Sequence, residues 1–334
     1  MERCYLDFDS IVGQKDIIES LKSAISEQRV GHAYMFAGPH GIGKRLLALT
    51  FAKILLCESP KDGKYCGECV QCRMQKSGTS PDLYVVDTDD QSIGVDEIRD
   101  LQSDIVIKPA YSKRKIYVIA DCDKMTVQAQ NCLLKTLEEP PRYATILLTA
   151  SNTGVILETI HSRTIHYNMK KNTNEEVYDF LVRNYGGKLN NNEFISAFSD
   201  GVIGTAKEAA ESPDFLMLRE DVIQMLLKLC SKKTLDIFKF CDFLEKNKTD
   251  IENILNIMLL FYRDMLIAKV SREENMLINS DKKDIILNNV DIFSTHGLVN
   301  CIEIIEMTKL NLKKNANYQL SIEVMLMKLQ EECS

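Results

Sequence analysis

The run Ala33-Tyr34-Met35-Phe36-Ala37-Gly38-Pro39-His40-Gly41-Ile42-Gly43-Lys44-Arg45 (residues 33–45) is the clearest structural signal in the chain. Its first five residues read as a buried strand that enters a Gly-rich turn, and residues 45–56 read as the helix that leaves it. The turn fits G-x-x-x-x-G-K in the strand–loop–helix setting that this motif needs. Glycines let successive backbone N–H groups face phosphate oxygens, the helix N-terminus adds partial positive charge, and Lys44 supplies a full one. Gly38, Gly41, Gly43, Lys44 and Arg45 are therefore the candidate residues for a phosphate-sized anion, with ATP or ADP as the candidate ligand; the alternative is a relic loop that binds nothing. Arg45 stands where the motif asks for Ser or Thr. That hydroxyl ligates Mg²⁺, and a guanidinium only donates hydrogen bonds, so efficient metal-assisted hydrolysis is not expected.

Outward from this unit, residues 83–86, 116–120 and 146–149 read as further strands with helical patterns between them. Connections of that length require crossovers, which predicts a mostly parallel sheet with flanking helices, an α/β core. Ala129, Leu133, Leu134 and Leu137 mark a helix that Pro140-Pro141 must end. The acidic pair of a hydrolytic site belongs at the end of the third strand. There, either Ala120 takes the metal-holding position beside Asp121, or a one-residue slip puts Asp121 in it and Cys122 where the water-polarising Glu belongs. Both registers leave the pair incomplete.

The β-rich pattern stops near Tyr167, and residues 170–175 read as a linker. All later apolar patterns have a helical period. One small helical unit runs through Val177, Phe180, Leu181, Phe194, Ile195 and Phe198 to about Ser212. A second contains residues 216–229, 235–244, 251–266 and 318–329.

Cys57, Cys66, Cys69 and Cys72 form C-x8-C-x2-C-x2-C, directly after the loop's helix. Two-residue spacing lets thiolates converge on one ion, and four sulfurs close the coordination sphere, so structural Zn²⁺ is the expectation. An iron–sulfur cluster of the common run would want another cysteine where Lys76 stands. Unliganded buried cysteines are the other alternative, and the polar, Gly-rich surroundings offer them little core. A DNA-reading finger is also conceivable, but Lys61, Lys64 and Arg73 are offset by Asp62 and Glu68. The other seven of the 11 cysteines read as core or surface thiols.

At 334 residues, with 45% hydrophobic and 27% charged side chains, the chain should fold throughout into two or three domains. No apolar stretch is long enough and free enough of charge for a membrane span, and no signal peptide is apparent, so a cytoplasmic location is expected. The formal charge of −7 argues against nucleic-acid binding driven by whole-chain electrostatics. Lys113-Arg114-Lys115 reads as a solvated turn before the third strand, with a local nucleic-acid contact as the alternative.

Residues 8–14 (Phe8-Asp9-Ser10-Ile11-Val12-Gly13-Gln14), residues 31–39, the four cysteines, residues 131–141 (Asn131 to Pro141) and Ser162-Arg163 together resemble the delta-prime branch of the bacterial DNA polymerase III clamp-loader subunits, of the AAA+ class. The resemblance runs over essentially the whole chain. It implies an AAA+ core over 1–168 with the zinc module at 57–72, a helical lid over 169–212 and a helical oligomerisation collar over 213–334. It also implies a hetero-oligomer of five subunits with gamma/tau and delta partners, acting on the sliding clamp and primed DNA. In that family the Ser-Arg arginine, here Arg163, enters the ATP site of an adjacent motor subunit, and Thr164 stands where cysteine is usual. Gly204 falls where a motor subunit's lid carries a nucleotide-sensing arginine. The expectation is a non-hydrolysing or weakly nucleotide-binding scaffold within the polymerase III holoenzyme. The alternative is a gamma/tau-like motor that hydrolyses ATP with Lys44 and Asp121.

Overall fold

A computed structural model describes residues 7–87, 92–186, 191–231, 233–271 and 276–333. The chain divides into two compact units, Met1–Val177 with Gly201–Gly204, and Tyr178–Asp200 with Thr205–Ser334.

The first unit is built on β1 (Ala33–Ala37), β2 (Leu83–Val86), β3 (Lys115–Ile119), β4 (Ala144–Ala150) and β5 (Ile165–Asn168), all parallel, in the order β2-β3-β4-β1-β5. α1 (Lys15–Ser26) precedes β1, and the connections between the strands contain α2 (Lys44–Leu56), α3 (Val70–Ser77), α4 (Val95–Ile105), α5 (Val127–Glu138) and α6 (Glu158–His161). Side chains on a strand alternate between faces. Met35, Tyr117, Ile119, Ile146 and Leu148 accordingly join a core with Leu101, Leu133 and Ile160, while Tyr34, Phe36, Val118 and Leu147 join a second core with Leu21, Leu47 and Phe51. This two-faced burial is why the strands read as continuous apolar runs. Ala37 pairs with Ala150, so the loops after β1 and β4 leave the sheet side by side.

The third strand is displaced by one residue from its expected span. β3 starts at Lys115, which is 3% exposed, its ammonium 2.8 Å from Asp104 Oδ2 and 3.1 Å from the Asp104 carbonyl. The third member of the basic triplet is thus a paired core residue rather than part of a solvated turn. β5 is a strand in its own right, beyond the four expected, and pairs only with β1.

Helix α7 (Asn174–Tyr185) carries the chain from the first unit into the second. There follow α8 (Asn192–Phe198), α9 (Ile203–Glu211), α10 (Pro213–Leu229), α11 (Thr234–Lys246), α12 (Ile251–Val270), α13 (Lys283–Asn289), α14 (Thr295–Lys313) and α15 (Tyr318–Glu331). α12 packs against α10, α13 and α14. The buried Arg219 on α10 donates to Asp281 (2.6 and 2.9 Å) and Asn279 (2.7 Å) and lies 3.8 Å from the Phe194 ring centroid, so its charge is paired and stacked. Outside the four-cysteine group, Cys122, Cys301 and Cys333 are buried and Cys132, Cys230 and Cys241 half-buried, while Cys4 lies outside the described residues. Among the described residues no helix is long and apolar enough to cross a membrane.

Candidate functional site

β1 ends at Ala37 and the next residue donates its backbone N–H to the Ala150 carbonyl (3.1 Å), tying the phosphate-loop motif to β4. The loop turns into α2 through Gly43 at φ 102°, a conformation that a side chain disfavours. Lys44 is 5% exposed, and its ammonium donates to the Gly38 carbonyl (3.0 Å), the Pro39 carbonyl (2.9 Å) and the Ser151 hydroxyl (2.9 Å). An ammonium has three N–H donors, so all three are engaged within the chain. Burial depresses the Lys44 pKa, and the charges of Asp121 and Asp123 oppose that shift. Arg45, at the position of the missing hydroxyl, forms an ion pair with Asp87 just beyond β2. A metal ion there would meet a guanidinium already neutralised by its own carboxylate.

The two acidic residues after β3 have separate tasks. The Asp121 carboxylate is 3.7 Å from the Lys124 ammonium, while its backbone N–H donates to Thr149 Oγ1 (2.9 Å). Asp123 Oδ2 accepts from the backbone of Ser151 (3.2 Å) and Asn152 (2.9 Å) and so holds the loop whose hydroxyl meets Lys44. Ala120 is 3% exposed and Cys122 is fully buried in the core, where burial pushes its thiol up. Gly204 donates its N–H to the Gly41 carbonyl (2.9 Å). A Cβ at position 204 would lie 2.8 Å from that carbonyl oxygen and 2.9 Å from Gly41 Cα, so the close approach requires glycine in this arrangement.

The four cysteines of the spaced motif come together, with ligand atoms all within 4.8 Å of one another. Cys66 and Cys72 sulfurs are 3.9 Å apart, near the roughly 3.8 Å edge of a tetrahedron with 2.3 Å zinc–sulfur bonds. Backbone N–H groups of Cys66, Cys69 and Cys72 point at the sulfurs of Cys57, Cys66 and Cys69 at 3.2, 3.4 and 3.4 Å. Hydrogen bonding from the Cys69 backbone draws the Cys66 thiol down to about 6, while burial pushes Cys57 and Cys72 up. Four convergent sulfurs with inward N–H donors fit a single metal ion held as thiolates. Helix α3 then anchors the module to the sheet: Gln71, fully buried between two ligands, donates to Asp82 Oδ2 (2.6 Å) and accepts from Ser80 (2.8 Å).

Arg163 follows α6 on a separate part of the first unit. None of the hydrogen bonds or ion pairs among the described residues joins it to the phosphate loop. Its Nη1 donates to the Thr159 carbonyl (3.0 Å) and the Ser162 hydroxyl (3.1 Å), and its Nη2 to Glu138 Oε1 (2.7 Å). Glu138 is the last residue of α5, immediately before the segment that ends in Pro140-Pro141. The acidic end of the 131–141 motif and the Ser-Arg pair therefore meet. Sequence reasoning missed Glu138, Asp87 and Asp82 as partners. Only Glu138 had a visible signal, its place in a motif already singled out.

Sheet order, phosphate loop and flanking helices define a P-loop α/β protein of the AAA+ class. Models of the DNA polymerase III delta subunit and of its C-terminal region match residues 13–173 and 213–331. The chain therefore belongs to the family of DNA polymerase III clamp-loader subunits, and it is delta-prime-like. It is 29% identical to DNA polymerase III subunit delta' of Bacillus subtilis over 95% of this chain and 96% of that one. It is also 26% identical to subunit tau of the same organism over 96% of this chain, but spans only 61% of the tau length. A solved gamma subunit-related protein from Thermotoga maritima shares the fold, with a TM-score of 0.50 at 20% identity, covering 95% of this chain and 99% of that one.

Proposed function

We propose that this chain is a delta-prime-type subunit of the replicative clamp loader. It acts as a scaffold that helps load the sliding clamp on primed DNA, in a hetero-oligomer of five subunits with gamma/tau and delta. Residues 1–168 form the AAA+ core, 169–212 the lid and 213–334 the oligomerising collar. Cys57, Cys66, Cys69 and Cys72 hold structural zinc. Gly38, Gly41, Gly43, Lys44 and Arg45 form a nucleotide cradle without efficient hydrolysis, and Arg163 is supplied to the ATP site of a neighbouring subunit. The location is cytoplasmic.

One observation carries the reading. The cation of the chain's own loop is folded inward on Gly38, Pro39 and Ser151, whereas Arg163 is 33% exposed and away from that loop. The similarity to tau supports a second reading, a gamma/tau-like motor. The test is the Arg163→Ala variant in the reconstituted loader. ATP turnover at the site it serves should fall on the order of 10²-fold, with the complex still eluting at its full size. Unchanged turnover of the complex sinks the assignment of Arg163. Brisk ATP hydrolysis by the isolated chain, lost on Lys44→Ala, supports the motor instead.

A further inference from the structure

Arg163 is fixed by contacts from two directions. The Thr159 carbonyl and Ser162 hydroxyl hold Nη1 from the arginine's own segment, and Glu138 holds Nη2 from α5, 25 residues away in sequence. A guanidinium has five N–H donors. These three bonds leave two of them, on Nε and Nη2, the pair of nitrogens that carries one edge of the fork. Such an edge is suited to two oxygens of a phosphate.

We propose that Glu138 is the positioning residue of this arginine, resting on the reading of Arg163 given above. Glu138 fixes the guanidinium in one orientation, so that its two remaining N–H groups meet a polyphosphate carried by another subunit. A long exposed side chain otherwise samples many rotamers, and each encounter would have to freeze it; prior ordering removes that penalty and aligns the donors with the developing charge. Exposure matters here as well. The pair is 33% and 51% exposed, so water screens the carboxylate and an arriving phosphate meets little opposition from it. A buried pair would hold the guanidinium too tightly to share.

The test uses the complete loader with this subunit altered, reading kcat and KM for ATP. Glu138→Ala should lower kcat about fivefold, the scale of one well-placed surface contact, and leave KM unchanged. Glu138→Gln keeps an acceptor oxygen in place and should stay within about twofold of the unaltered complex. Glu138→Ala added to Arg163→Ala should do nothing more, because the positioning residue then has nothing to position. A silent Glu138→Ala beside an impaired Arg163→Ala overturns the role of Glu138 alone. So does a further loss in the double variant, which marks Glu138 as merely structural. An Arg163→Ala complex with full activity overturns both the underlying reading and this one.

Discussion

Replacing Asp82 with Ala should destabilise the first unit by about 3 kcal/mol. Asp82 is 1% exposed and accepts four hydrogen bonds, from the Gln71 amide (2.6 Å) and from the backbone N–H groups of Ala110 (2.6 Å), Tyr111 (2.9 Å) and Ser112 (2.9 Å). Ala110 and Tyr111 are exposed and Ser112 half-buried, so water can replace the carboxylate there and the loss is small, about 0.5 kcal/mol for each. Gln71 has no exposure, and its stranded amide adds about 1.5 kcal/mol. For a unit of this size, each kcal/mol corresponds to roughly 2–4 °C in Tm, so a fall of about 6–12 °C is expected. Differential scanning calorimetry of the intact chain reads it, the relevant transition being the one that a zinc chelator shifts. Asp82→Asn should not restore the Tm, because its amide turns one acceptor into a donor facing N–H groups. Gln71→Ala and the double variant complete the cycle. A fall below about 2 °C, or full additivity of two residues in contact, refutes the proposed clamp between the cysteine module and the sheet.

Stripping the metal should lower the Tm of the same transition by at least about 5 °C, since the ligand set is part of the fold; added Zn²⁺ should restore it and Mg²⁺ should not. Elemental analysis finding no metal in the purified chain, with the Tm indifferent to chelator, contradicts this. Gly204→Ala should be destabilising by about 1–3 kcal/mol, because the new Cβ meets the Gly41 backbone at 2.8 Å. In an unobstructed helix the same change stabilises by up to about 1 kcal/mol, so the sign of the Tm shift decides it.

The sequence was most legible where one local rule dictates structure. The phosphate loop announces β1 and α2 because its glycines and lysine require that setting, and the cysteine spacing announces a convergent site because two-residue gaps suit one ion. Proline at 140 and 141 bounded α5 correctly. What escaped was set by distant partners or weak contrast. Lys115 looks like surface until Asp104 stands beside it. α14 buries Leu298, Cys301, Ile305 and Thr308 but exposes Val299, Met307 and Leu310, so apolar residues on its outer face blur the helical stripe. β5 reads Ile-His-Tyr-Asn, four residues at the sheet edge with little burial, and only its pairing with β1 defines it.

The same limit applies to the site. A sequence shows which residue a motif has lost but not what the replacement has gained. Arg45 reads as a missing magnesium ligand, yet in the fold it is the partner of Asp87, so the loop carries a new ion pair where a metal would otherwise be held. Lys44 reads as an intact phosphate ligand, yet all three of its donors are satisfied by Gly38, Pro39 and Ser151. A phosphate entering this loop must therefore displace contacts that already compensate a buried ammonium, which offsets much of the attraction that the motif supplies elsewhere. At Arg163 the balance is reversed, because three bonds orient the guanidinium while two N–H groups remain to meet an incoming anion. Of the two cations, the one placed by the motif is the more fully committed within the chain, and the one outside it keeps two N–H groups beyond its three intrachain bonds.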